Sequence, residues 1–112
     1  MLQASHRLCA RRDIEQVFKK GVVFHTRYVT VRVFFSLFPH SRGTVVVSNK
    51  ISKKAVVRNR IKRWLRPVMR DVFSLCPKSM DMIISAKSPA VESDARVLRE
   101  SVFFACKKMG VL

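Results

Sequence analysis

Acidic residues are scarce in this 112-residue chain, and through its middle they are missing. Seven Asp and Glu stand against twenty-three Lys and Arg, for a formal net charge of +16. The seven are Asp13, Glu15, Asp71, Asp81, Glu92, Asp94 and Glu100, so none falls between Gln16 and Arg70, a window that holds fourteen Lys and Arg. Solvated surfaces ordinarily mix signs. An uncompensated field of this size points to a polyanionic partner, with nucleic acid ahead of a membrane surface. Cysteine is sparse too: Cys9, Cys76 and Cys106 are odd in number and form no C-x-x-C. They give no support to a disulfide framework or a zinc site, suit a reducing cytosol, and read as small apolar or surface residues. Three glycines leave no Gly-rich phosphate loop, carboxylates are not paired, and His6, His25 and His40 stand alone. The chain therefore offers no catalytic constellation of its own. The opening "MLQASHRLCARRD" lacks the apolar stretch of a signal peptide. No apolar run approaches the roughly 20 residues of a spanning helix.

What is present suffices for a core. Hydrophobic residues make up 48% of the chain, and no repeat, linker or low-complexity tract divides it, so residues 1–112 read as one domain. "DIEQVFKKG" predicts a short helix with Asp13 as cap, Ile14, Val17 and Phe18 on one face, and Gly21 as stop. "VVFHTR" and "YVTVRVFF" are β-branched and aromatic and predict strands. In the second, Val29, Val31, Val33 and Phe35 alternate with Tyr28, Thr30, Arg32 and Phe34. A turn is expected at 38–43, then a third strand over 44–48 as hairpin partner of the second. A long helix follows, roughly Ala55 to Leu75, then a strand over 79–87 between Pro77 and Pro89. A last helix from about Ser93 buries Leu98, Val102, Ala105 and Met109 and closes at Gly110. The order α-β-β-β-α-β-α implies an α+β fold, a four-stranded mixed sheet packed against helices.

The segment "KKAVVRNRIKRWLRP" (53–67) combines seven cations with a buried-looking apolar pattern. Projected on a helix with Ile61 at zero, Val57, Trp64, Leu65, Val68 and Val72 fall within about 60° of it. Asn59, Arg63, Arg66 and Arg70 fall within about 40° of the opposite pole, Lys62 sits on one shoulder, and Arg58 and Arg60 flank the apolar edge. One face docks on the sheet; the other presents guanidinium forks suited to phosphates. Lys50, Lys53 and Lys54 precede or begin the helix, where free N–H groups already favour an anion. Pro67 lies inside this pattern and either kinks the helix or divides it in two at Arg66.

A second surface is suggested by Phe18, Tyr28, Thr30, Arg32 and Phe34, with His25 nearby. Aromatics interleaved with cations on an open sheet face suit single-stranded nucleic acid. The plainer alternative makes Phe34 and Phe18 core under a covering helix.

With these residues in view, the chain resembles the bacterial ribonuclease P protein family. "VSNKISKKAVVRNRIKRWLR" (47–66) is similar to that family's signature, with Arg58, Asn59 and Arg60 followed by Ile61, Lys62, Arg63 and then Arg66. "RLCARRDIEQVFKKG" (7–21) resembles its opening helix. The resemblance implies a cytoplasmic subunit that partners a large catalytic RNA, with no membrane and no obligate protein partner. The RNA would carry the hydrolysis that removes the 5′ leader of precursor tRNA, served by magnesium, with no catalytic residue and no cofactor in this chain. Arg58, Asn59, Arg60, Lys62, Arg63 and Arg66 would face the catalytic RNA or its bound metals, and the helix projection and the helix entry add Lys53, Lys54 and Arg70 to that surface. A cleft with Phe18, Tyr28 and Arg32, and Lys50 and Lys53 at its rim, would hold the leader. The family's βαβ crossover around the basic helix would be left-handed, against the usual hand. Ile14, where the family often has an aromatic, would weaken one stacking surface. A ribosomal or DNA-architectural module without enzymatic role is the rival reading; its mark would be equal affinity for duplex DNA.

Overall fold

β-Branched runs become strands and 3.6-periodic runs become helices in the computed structural model, which describes residues 7–8, 10–36 and 39–112. The elements are α1 (Arg11–Lys20), β1 (Val22–His25), β2 (Val29–Phe35), β3 (Arg42–Val46), α2 (Ala55–Leu75), β4 (Met80–Ala86), a 3-10 helix (Ser88–Glu92) and α3 (Ala95–Lys108). The expected order and α+β class hold, and the 3-10 helix is additional. Cys9 and His6 lie outside the described residues, as does Phe38 of the expected turn.

The sheet departs from expectation in its pairing. Its order is β1-β2-β4-β3. β1 and β2 form an antiparallel hairpin, with Val23 opposite Arg32 and His25 opposite Thr30. β3 is not the hairpin partner of β2. It runs parallel to β4, with Val45 opposite Ile84, while β4 inserts antiparallel against β2. The reason is α2. After β3 its apolar stripe must lie on the sheet, so the chain crosses over and returns in parallel beside β3. β3 also begins earlier than the expected turn allows, and takes in Arg42 and Gly43.

This register sorts the side chains. On one face Val29, Val31, Val33, Val45, Met80, Met82 and Ile84 are buried with Ile61, Leu65, Val68, Met69 and Val72 of α2 and Leu98, Val102, Ala105 and Cys106 of α3. Each fully buried Ile, Leu or Val contributes about 1.5–3 kcal/mol relative to exposure. Val57 and Trp64 are half-buried at the margin of the stripe. α2 leans on β3 and β4, and α3 on β1 and β2. On the other face a smaller cluster of Leu8, Val17 and Ile83, with Ile14 and Phe34 against it, lies beneath α1. Phe34 is therefore core, as the plainer alternative had it.

α2 passes through Pro67 as one helix. Two helices meeting at Arg66 are ruled out. Proline cannot bond to the carbonyl of Arg63, but Arg63 lies on the exposed side, where water can satisfy that oxygen. The last helix is capped by Asp94, whose Oδ1 accepts from the Val97 N–H at 2.9 Å. It ends at Gly110, whose φ of +78° turns the chain back so that Val111 N–H donates to Cys106 O at 2.9 Å. Burial pushes the Cys106 thiol up to about 11, with Cys76 nearby adding to the rise. It is an apolar core residue at neutral pH.

Two expectations for α1 change. Asp13 is not its cap; Ala10 occupies that position and Asp13 lies in the first turn. Gly21 does end the helix, but with an ordinary φ of −74°. Glycine is needed for proximity. A Cβ there would run into the carbonyl oxygen of Val17 and lie 3.0 Å from that of Val33. Gly21→Ala is expected to cost about 1–3 kcal/mol through overpacking, read from thermal unfolding. An unchanged melting temperature would mean that the α1–β1 corner opens freely.

Candidate nucleic-acid interface

The outer face of α2 develops as its spacing predicts. Asn59, Arg63 and Arg70 are exposed, and Lys62 and Arg66 half-buried. Five ion pairs form among the described residues: Arg11–Glu15, Arg42–Asp13, Arg42–Asp81, Arg96–Glu100 and Arg99–Asp71. None involves Lys62, Arg63, Arg66 or Arg70. Asp71, next in the chain to Arg70, is taken by Arg99 of α3 at 2.7 Å. The fold thus places its few acids elsewhere and leaves this row of guanidinium groups uncompensated, which suits a surface awaiting an external anion.

The start of α2 continues that field. Its cap residue is Lys54, no side chain caps the first turn, and the turn holds no acid. Lys50, Lys53 and Lys54 are all exposed there. The free N–H groups and the positive end of the helix dipole add to the same potential.

The signature arginines divide. Arg58 is half-buried and donates through Nη1 to Ser52 O at 2.9 Å, fastening the loop ahead of the helix. Arg60 lies over the Trp64 ring at 5.3 Å and reaches the carbonyl of Val91 in the 3-10 helix at 3.5 Å. Both flank the apolar stripe, so their chains pack along it while part of each head remains for a ligand. Their position at the stripe's edge was legible; the carbonyls they hold were not.

The second surface lies on the opposite side of the sheet. α1 crosses that side over the end where Phe34, Asp81 and Arg42 stand in register. The far end is left uncovered by α1: His25, Thr30, Ser85 and Val46 lie there side by side across the strands. Phe18 is 53% exposed, so it is not core. The Arg32 guanidinium sits 4.6 Å from its ring centroid, a cation–π pair at the cleft wall. Val46 is 42% exposed on the floor. His25 Nδ1 and Thr30 Oγ1 hydrogen-bond at 3.1 Å. Val46 and Ser85 were missed from sequence. Alternation along β3 and β4 would have found them once the parallel pairing was known.

Tyr28 requires a correction. It does not share a strand face with Thr30 and Arg32. β2 starts at Val29, and residues 27–28 form a bend closed by Thr26, whose Oγ1 accepts from Val29 N–H at 3.0 Å. Tyr28 packs against the large core cluster instead, with Arg27 5.7 Å from its ring. It stands at the same sheet end as the β3–α2 loop, because its carbonyl accepts from Lys87 N–H just past β4. The two candidate surfaces, on opposite faces, thus converge at this end around Lys50, Lys53 and Lys54.

Arg42 is the residue that sequence reasoning missed. It donates through Nε and Nη2 to both oxygens of Asp81 at 2.9 and 2.8 Å, and through Nη1 to Asp13 of α1 at 2.9 Å. Asp81 is 1% exposed. Hydrogen bonding to Asp81 raises the Arg42 pKa above its ordinary value, with both carboxylates adding attraction against the cost of burial. The triad ties α1 to β3 and β4 and so holds Phe18 over the sheet.

Among the described residues no three His, Cys, Asp or Glu side chains come together to hold a metal. No helix among the described residues is long and apolar enough to cross a membrane.

Comparison with known proteins agrees with this geometry. The family model described as Ribonuclease P matches residues 2–110. The ribonuclease P protein component of Pseudanabaena sp. (strain PCC 6903) is 31% identical, covering 100% of this chain and 97% of its own. A solved structure of the Staphylococcus aureus RNase P protein, a mutant with defective mRNA degradation activity, superposes with TM-score 0.86 at 26% identity, covering 96% of this chain and 91% of that one. The RNase P protein from Thermotoga maritima gives TM-score 0.78 at 30% identity, covering 91% and 96%. A basic helix whose outer cations form no ion pair among the described residues, an aromatic and cationic surface on the other side of the sheet, and these full-length matches agree: the chain belongs to the ribonuclease P protein family.

Proposed function

We propose that this chain acts in ribonuclease P as an electrostatic and stacking adaptor between two RNAs. As a member of the family it is an RNA-binding protein of tRNA processing and part of an endoribonuclease. In this reading the outer face of α2, with Lys53 and Lys54 at its start, lies against the catalytic RNA. The cleft of Phe18 and Arg32 holds the single-stranded 5′ leader of precursor tRNA. The RNA carries out phosphodiester hydrolysis, and magnesium serves the RNA-borne site. The work is placed in the cytoplasm. Neutralising phosphates where leader and catalytic RNA converge raises substrate affinity and lowers the magnesium concentration required.

One observation carries the reading: Arg63, Arg66 and Arg70 share a face and form no ion pair among the described residues, while five of the chain's seven acids pair with other arginines. Reconstitution tests it. Mixed with the catalytic RNA from its own source, the protein should permit precursor cleavage at a magnesium concentration where the RNA alone is slow. Equal affinity for duplex DNA and for leader-bearing precursor, with no effect on cleavage, would favour a DNA-architectural module instead. Within the cleft, Phe18→Ala should weaken binding of leader-bearing precursor by about fivefold or more, the worth of one base–aromatic stack. Mature tRNA should bind as before, since it has no leader to stack.

A further inference from the structure

The free edge of the sheet carries a third surface, distinct from α2 and from the cleft floor. β1 is an edge strand. Val22 and Val23 on it are 54% and 43% exposed, and Phe104 on α3 is 52% exposed. Phe24 and Phe104 meet edge to face with centroids 6.0 Å apart, and Lys108 Nζ lies 5.5 Å from the Phe104 ring. α3 buries Leu98, Val102, Ala105 and Cys106 on its inner side. Val22, Val23 and Phe104 together leave apolar and aromatic surface exposed at this edge of the sheet.

We propose that the single-stranded RNA leaving the cleft crosses the β1 edge and stacks a base on Phe104, with Lys108 neutralising a phosphate beside it. This rests on the reading of the cleft as the leader site. The path is continuous. Phe18 stacks on Arg32, Arg32 stands opposite Val23 in register, and Val23 is exposed at the edge. Val23 lies on the cleft side of β1 and Phe24, next in the chain, on the side where it meets Phe104, so only this edge strand separates the two surfaces. The charge fits an RNA. Lys107 and Lys108 occupy the last turn of α3, and Glu100, the acid of that helix, is taken by Arg96. It does not fit a second copy of this chain. Two molecules each carrying +16 repel, and a four-residue edge strand offers a short ladder for pairing. Base stacking needs only an aromatic face and a nearby cation, both present, and is indifferent to sequence.

The experiment uses the reconstituted holoenzyme and two precursors, one with a leader short enough to end within the cleft and one several nucleotides longer. Phe104→Ala and Lys108→Ala should each weaken the long-leader precursor, the first by about fivefold or more, and leave the short-leader precursor unchanged. Lys108→Ala should also lower the salt slope for the long leader by about 0.7. Lys108 is exposed, so this variant keeps the fold and preserves the test if Phe104→Ala melts early. Wild-type binding of both precursors by both variants, or equal loss at both lengths, overturns the proposal. Phe18→Ala serves as the separate control. If it weakens both precursors while the edge variants do nothing, only the edge proposal fails; if it weakens neither, the cleft reading fails and takes this one with it. A concentration-dependent dimer in sedimentation that Phe104→Ala abolishes would assign the face to a second copy and equally overturn the proposal.

Discussion

Replacing Arg42 with alanine is expected to remove about 3–5 kcal/mol of folding stability, the scale for breaking a buried ion pair from one side. The loss is large because of what remains. Asp81 is 1% exposed and would be left buried with neither of its two guanidinium bonds, and Asp13 would lose its tie across to β3. An Arg42→Lys variant should recover only part of the loss, since a single ammonium cannot reproduce the planar fork that meets both Asp81 oxygens and still reaches α1. The contribution is flat in pH over the working range. A cation whose folded pKa is raised, as that of Arg42 is, stabilises fully below its unfolded value and loses the effect only as pH climbs through the folded one, in strong alkali. For a domain of this size each kcal/mol is worth roughly 4–8 °C, so thermal unfolding should show a drop well above 10 °C for a 3 kcal/mol loss. A shift of only a degree or two would mean that the triad is ornamental and that α1 is held by Val17 and Ile14 alone.

The triple variant Arg63→Ala, Arg66→Ala, Arg70→Ala should behave in the opposite way, with a large loss of binding and none of stability. Each charge-assisted bond to phosphate contributes about 1 kcal/mol or more. Three together predict a fall in affinity for the catalytic RNA of about two orders of magnitude. The salt slope should flatten by about 0.9 for each phosphate no longer neutralised. Folding stability should hold or rise, because these cations have no acid partner among the described residues and repel one another. Binding titrations at two salt concentrations, with a melting curve for each protein, decide the matter. Unchanged affinity and slope would remove α2 from the interface. A parallel loss of stability would show that the row is structural. Arg58 and Arg60 make the useful contrast. They hold the carbonyls of Ser52 and Val91, so their alanine variants should weaken the fold as well as the binding.

The features legible in sequence are those set by local geometry. Along α2 the apolar and basic positions separate by angle alone, and burial of Ile61, Leu65, Val68 and Val72 follows. Met69 widens the stripe because α2 meets α3 as well as the sheet, and its side chain packs over Gly43; nothing in the helical period announces that. β1 and β2 were legible as strands because β-branched and aromatic residues mark them. The place of β3 was not, because the partner that separates it from β2 comes after a 21-residue helix. Tyr28 was misplaced for a smaller reason. Alternation counts only within a strand, and Thr26 closes a bend that ends the strand one residue short.

The amino-acid sequence by itself determined the amphiphilic helix, the acid-free basic field and the signature that marks the family, because periodicity, composition and motif are read along the chain. Only the tertiary structure decided which cations are held in internal pairs and which are left for a partner. Arg42 looked like one more member of the basic run until its partners arrived from 29 and 39 residues away. Ion pairing acts through space over a few ångströms, and the distances that set it exist only once the sheet has closed.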